Sequence, residues 1–188
     1  MSQITKKALA ASLKKLSGRK SLDKITVIDL AEDCEINRQT FYYHFKDIFD
    51  LVEWIFKCES TNAIDGNKTY DTWKNGYLRV FYYVEENKDF VSSVYHSVCK
   101  PHLERFLYEE TFDLLMSVVN ELAMGMDVRP VDKKFIADFY KYAFVGIVLE
   151  WIRTGMKENP DEIIYHLGIL IQGDMKKALE KYEKDANL

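Results

Sequence analysis

From Ile4 onward, apolar side chains return every three or four positions along the chain, and no stretch alternates polar with apolar as a half-buried strand does. Only 3 prolines and 8 glycines interrupt 188 residues, so long helices are favoured over many short strands joined by turns. The pattern predicts an all-α chain. An N-terminal helix-turn-helix domain of three to four helices precedes a C-terminal helical domain of five.

The first predicted helix starts from a cap at Ser2 and carries Ile4, Ala8, Leu9, Leu13 and Leu16 as its inward stripe, with Ser12 tolerated on the same face. Gly18 ends it. Thr26 caps a second helix with Val27, Leu30 and Ala31 facing inward. Asn37 caps a short third helix to about His44. Asp47 caps a fourth, whose stripe is Ile48, Leu51, Val52, Ile55 and Phe56. The small polar loop around Gly66 then separates residues 1–60 from 68–188, and this is the predicted domain boundary. Later helices are expected over 69–87, 89–99, 101–124, 132–154 and 160–184.

Residues 36–47, INRQTFYYHFKD, narrow the function. Eight of these twelve side chains donate hydrogen bonds, and only Ile36, Phe41 and Phe45 are purely apolar. Two short helices about four residues apart, the second rich in donors, form a helix-turn-helix. Phe41 and Phe45 are expected to pin the second helix from behind, with Ile36 at the corner. Arg38 then suits a guanine edge and Gln39 an adenine edge. Thr40, Tyr42, His44 and Lys46 suit phosphates, and Tyr43 a thymine methyl or a phosphate. Asn37 lies at the exposed start of the same helix, and Thr26 opens the preceding one where a phosphate can meet free N–H groups.

Charge agrees with this placement. The net charge is −4, but residues 1–46 hold nine Lys and Arg against five Asp and Glu, leaving −8 on the rest. A basic head on an acidic body fits a polyanionic partner. The longest uncharged apolar run, Ala143 to Leu149, is far short of a membrane span of about 20 residues. Lysines interrupt every candidate signal-peptide core, and the three cysteines have no paired spacing, so a reducing cytoplasm is expected. No zinc-ligand spacing, phosphate loop or catalytic triad order stands out. Neither an enzyme nor a cofactor is expected.

The run KITVIDLAEDCEINRQTFYYHFKDIFDLVEWIF resembles the N-terminal domain of TetR-family transcriptional regulators. The match rests on Ile25–Thr26–Val27, on Asp29 to Ala31, and above all on TFYYHFKD followed by Leu51; with the first helix it covers roughly residues 4–56. The resemblance implies a DNA-binding head whose base and phosphate contacts fall at the donors named above. Two positions depart from the family pattern. Glu35 stands where the turn usually has glycine and must accept a left-handed backbone or a reshaped turn, and Ile48 stands where a phosphate-binding lysine is frequent.

The body carries two further expectations. Ile163, Ile164, Leu167, Ile169, Leu170 and Ile171 surround the last predicted helix almost completely, so it must be covered on more than one side. Gly146, Gly168 and Gly173 lie inside predicted helices, where close helix approach would offset their cost. Both features point to a homodimer through residues 132–154 and 160–184. VLEWIRTGMKENPDEI is similar to the family's dimerising C-terminal helices. The middle helices are rich in aromatics, and the resemblance implies an effector pocket there, with Tyr82, Phe106, Phe139 and Tyr142 as its candidate lining. The reading is thus a dimeric regulator on a pseudo-palindromic double-stranded DNA operator under control of a small effector. Repression and activation both stay open. So does an alternative, a TetR-like co-regulator whose head no longer binds DNA and which acts through protein contacts.

Overall fold

A computed structural model of the chain describes residues 2–60 and 68–186. The Gly66 loop and the side chain expected to cap at Ser2 lie outside the described residues. Every regular element among them is helical. In chain order they are α1 (Ser2–Ser17), a 3₁₀ turn (Leu22–Lys24), α2 (Val27–Asp33), α3 (Arg38–His44), α4 (Ile48–Ser60), α5 (Trp73–Glu86), α6 (Lys88–Tyr95), α7 (Lys100–Leu122), α8 (Pro130–Arg153), α9 (Pro160–Ile171) and α10 (Asp174–Ala186).

These elements form two compact units whose boundaries do not follow chain order. The first comprises residues 1–59 and 84–106, the second 60–83 and 107–188. The expected boundary near residue 60 therefore does not describe the compact units, because α6 and the start of α7 pack with the N-terminal helices. The cause is α1, which needs cover on two sides: it packs on α2 and α3 and also on α6. Leu9 and Leu13 are fully buried, and Phe90, Val91 and Val94 of α6 are buried in the same unit. Phe56 stacks on Phe106 at 5.0 Å and lies 5.6 Å from Phe90. Lys14 ties the layers together, donating to Glu59 at 2.6 Å and to Asn87 at 2.8 Å.

The α1 stripe differs from expectation at one end. Ile4 and Ala8 are exposed, whereas Ala10, Ser12 and Ser17 join Leu9 and Leu13 inside. The buried face is turned toward α6, a long-range neighbour that spacing within α1 does not reveal.

In the second unit an aromatic series crosses from α5 to α8. Trp73 and Tyr77 both meet Phe144, at 5.6 and 4.7 Å, and Phe81 meets Trp151 at 5.0 Å. The Trp151 indole N–H donates to the Glu158 carbonyl at 2.9 Å, closing the loop before α9. Pro130 and Pro160 sit in the first turns of α8 and α9, where the missing N–H costs nothing.

The single last helix expected over 160–184 is two helices. Gly173 adopts φ +82°, a left-handed conformation that stops α9 and lets α10 start in a new direction. Gly168 is likewise not at an open seam: a Cβ there would lie 2.6 Å from the tip of the Lys74 side chain. Gly146 and Gly173 both have open space beside them, with nothing within 4 Å of a Cβ, but only Gly146 lies inside a helix.

Candidate nucleic-acid interface

The helix-turn-helix is fixed by its caps. The Thr26 hydroxyl accepts from the Asp29 N–H at 3.3 Å, while the Asp29 carboxylate accepts from the Thr26 N–H and hydroxyl, each at 2.7 Å. This is a capping box with aspartate at its third position. Lys20 closes it from outside, 2.8 Å from the same carboxylate. The Lys20 ammonium and then the Thr26 donors hold the Asp29 carboxyl down at about 2, from an ordinary 3.8. Because the folded value is the lower one, the cap contributes stability above pH 3.8 and loses it as pH falls from 3.8 towards 2. The Thr26 amide resonance is expected to titrate with a midpoint near pH 2; a midpoint near 3.8 would show the carboxylate to be free.

At the other end of α2 the turn is a complete Schellman motif. The Ile36 N–H donates to the Ala31 carbonyl at 2.9 Å and the Glu35 N–H to Glu32 at 3.2 Å. Glu35 occupies the left-handed position at φ 53°, as the departure from glycine requires. Its side chain is exposed, so the residue bears a backbone cost of about 1–2 kcal/mol without a clash. The Asn37 side-chain oxygen then caps α3, accepting from the Thr40 N–H at 2.7 Å and its hydroxyl at 2.9 Å. Asp47 caps α4 through the Asp50 N–H at 2.8 Å.

Phe41 and Phe45 hold α3 from behind. They are 0% and 3% exposed and 5.9 Å apart, and Phe45 meets the Trp54 ring at 5.8 Å. Lys6 of α1 lies over the Phe45 ring at 5.2 Å. On the opposite side Asn37, Arg38, Gln39, Tyr42, Tyr43 and Lys46 are exposed, Tyr43 to 82%. Among the described residues Arg38 and Gln39 make no side-chain hydrogen bond, so their donors face outward. His44 is half-buried, with its ring 4.9 Å from Tyr43.

Eight of the nine expected DNA contacts lie between Asn37 and Lys46, with Thr26 at the start of α2, and they are not equally free. The Thr26 and Thr40 hydroxyls donate within the caps, and the Thr26 oxygen also accepts from the Asp29 N–H, so neither hydroxyl proton is left for a phosphate. The roles of Asp29 and Lys20 in this cap are not part of the sequence reading, although the Thr26–Asp29 spacing is a readable capping signal.

The four candidate pocket residues are divided between the two compact units. Phe106 is buried in the first unit against Phe56. Tyr82, Phe139 and Tyr142 belong to the second unit and are exposed, and the Tyr82 hydroxyl donates to Asp161 at 3.1 Å. Phe139 and Tyr142 lie on an outer face of α8, shared with Val131 and Phe135. Helical spacing placed these rings on one side of α8 but did not say which side faced the core.

A capped helix-turn-helix with an outward donor face, followed by further helices, defines a helix-turn-helix transcriptional regulator. Comparisons with known proteins carry this further. The TetR-type family described as "Transcriptional regulator C-terminal region" matches residues 71–173. The "HTH-type dhaKLM operon transcriptional activator DhaS" of Lactococcus lactis subsp. lactis (strain IL1403) is 30% identical over 154 residues, 81% of each chain. A solved structure of "Dihydroxyacetone kinase operon activator DhaS" superposes with a TM-score of 0.72 at 27% identity, covering 92% of this chain and 97% of that one. Two others share the fold. Native NalD of Pseudomonas aeruginosa, described as the secondary repressor of the MexAB-OprM multidrug efflux pump, is 14% identical with a TM-score of 0.60, over 94% of this chain and 97% of its own. A TetR-family regulator from Rhodococcus sp. is 17% identical with a TM-score of 0.55, over 95% and 98%. The chain belongs to the TetR family of transcriptional regulators. Its relatives are regulators, not enzymes. Among the described residues no helix is long and apolar enough to cross a membrane.

Proposed function

We propose that the chain acts as a homodimer that binds a pseudo-palindromic DNA operator, with residues 1–60 as the reading head and residues 68–188 as the regulatory and dimerising part. The observation that carries this is the two-sidedness of α3: Phe41 and Phe45 inside, Arg38, Gln39 and Tyr43 exposed outside. Arg38 and Gln39 read base edges. Asn37, Tyr42, Tyr43 and Lys46 supply groove and phosphate contacts, with lesser roles for His44 and for the cap hydroxyls Thr26 and Thr40.

Two copies are needed because one short helix offers few contacts. Support for the dimer comes from the second unit. Val131, Phe135, Phe139 and Tyr142 on α8 and Tyr165, Ile169 and Leu170 on α9 are exposed apolar side chains, a surface that asks for cover. Gly146 adds a place for close approach. An effector in the second unit is supported by the α5–α7 interior. Tyr77 and Thr111 are neighbours there, 0% and 1% exposed, and among the described residues neither hydroxyl has a well-formed hydrogen bond beyond their own pairing. Polar groups so buried are costly unless a partner is supplied. An effector that favours one arrangement of the dimer must bind the other more weakly, and operator affinity follows that difference.

Salt dependence tests the head. Several phosphate contacts predict a steep linear fall of log affinity with log salt. Arg38→Ala is expected to relax sequence preference, whereas Lys46→Ala weakens all sequences alike. A flat salt slope, or no binding at low salt, would favour the co-regulator that acts through protein contacts alone.

A further inference from the structure

The first unit holds a cavity of about 410 Å3 that no part of the proposed DNA reading uses. The 3₁₀ turn and the start of α2 supply Leu22, Asp23, Ile25 and Val27. The first turn of α4 supplies Asp47, Ile48 and Phe49, and the α6–α7 turn supplies Val98 and Cys99. Leu22, Ile25 and Cys99 form a buried floor, whereas Phe49 and Val98 stand exposed at the rim. The ring of His102 stacks on Phe49 at 5.8 Å and braces that side.

Seven of the nine lining residues are apolar and the other two are carboxylates; none is basic. Each carboxylate has one oxygen committed: Asp23 accepts from the Val98 N–H at 3.1 Å and Asp47 from the Asp50 N–H at 2.8 Å. Among the described residues their second oxygens accept no hydrogen bond. Burial pushes the Cys99 thiol up to about 11, and the charges that add to the rise are Asp23 and Asp47, so the floor lies in a negative field. Two half-committed carboxylates with no third ligand do not make a metal site, and among the described residues no group of three or more such side chains gathers.

We propose that this cavity binds a small organic cation, an ammonium carried on an apolar body. The body displaces water from Leu22, Ile25, Ile48 and Val98, and the ammonium donates to the free oxygens of Asp23 and Asp47. A neutral molecule forgoes the charge-assisted bonds, and an anion is repelled. The occupant touches the starts of α2 and α4 together with the α6–α7 turn, so it ties the helix-turn-helix to α6 and α7. Any effect on operator affinity rests on the DNA-binding reading above, whereas binding itself does not.

The test is an amide NMR titration of the full chain, without DNA, using 2-phenylethylammonium, 2-phenylethanol and 3-phenylpropanoate. The cation is expected to shift the amides of Asp23, Ile48, Val98 and Cys99, with the alcohol binding about tenfold more weakly and the carboxylate not at all. Asp23→Asn keeps the acceptor for the Val98 N–H and removes the charge; it should weaken the cation about tenfold and leave the alcohol unchanged. Val98→Lys, at a site 67% exposed, should place a tethered ammonium on the rim and abolish cation binding. Shifts confined to other residues, equal affinity for all three probes, no response to the cation, or an Asp23→Asn chain that binds the cation as before would each overturn the proposal.

Discussion

A Phe139→Glu chain is expected to sediment as a monomer at micromolar concentration and to lose operator binding, while its helical content and thermal unfolding change little. Phe139 is 63% exposed on α8, so the substitution removes no core contact from its own chain. In an isologous dimer the same residue appears twice. Each copy forfeits the burial of a phenylalanine, about 1.5–3 kcal/mol, and leaves a carboxylate to be desolvated. Over two copies the lost burial alone is about 3–6 kcal/mol, on the order of a hundredfold to ten-thousandfold in the dissociation constant. Sedimentation velocity across a concentration series measures it. A variant that stays dimeric through that range would place the subunit contact elsewhere than on this face of α8.

The second large effect concerns the support behind α3. Phe41→Ala empties a fully buried site on the inner side of α3, and is expected to destabilise the chain by about 3–5 kcal/mol, with α3 the first element to come loose. Tyr43→Ala is the matched contrast. At 82% exposure it should change stability by less than about 0.5 kcal/mol and yet weaken DNA binding clearly. Denaturant unfolding and operator titration on the two variants separate the roles. Tyr43→Ala as destabilising as Phe41→Ala would mean that α3 does not have the two faces described here.

The helix-turn-helix was the most legible part of the sequence because its signals are local. Asn37 and Asp47 cap as their side-chain chemistry suggests, and Glu35 takes the left-handed backbone that the missing glycine demanded. Leu51, Val52, Ile55 and Phe56 are buried at the spacing that named them. The misreadings arose where the deciding neighbour is distant or the periodicity is blind. Ile169, Leu170 and Ile171 carry the apolar pattern up to Gly173, so nothing before the glycine announces the break between α9 and α10. Phe139 and Phe144 are both aromatic and five residues apart, yet one faces out and the other is fully buried. Periodicity gives the faces of a helix without saying which one the rest of the chain covers. Ile4 and Ala8 fail for the related reason that α6, more than seventy residues later, decides which face of α1 is inside.

That long return of the chain bears on synthesis. The first unit needs Asn87 beside Lys14, Phe90 beside Phe56 and Phe106 stacked on Phe56, so it stays incomplete until residue 106 has left the ribosome. During that interval α1 and α4 have no α6 to cover them, and the apolar sides of the nascent head are open to chaperones or to neighbouring chains. A fragment ending near residue 60 would be fixed in that unfinished condition.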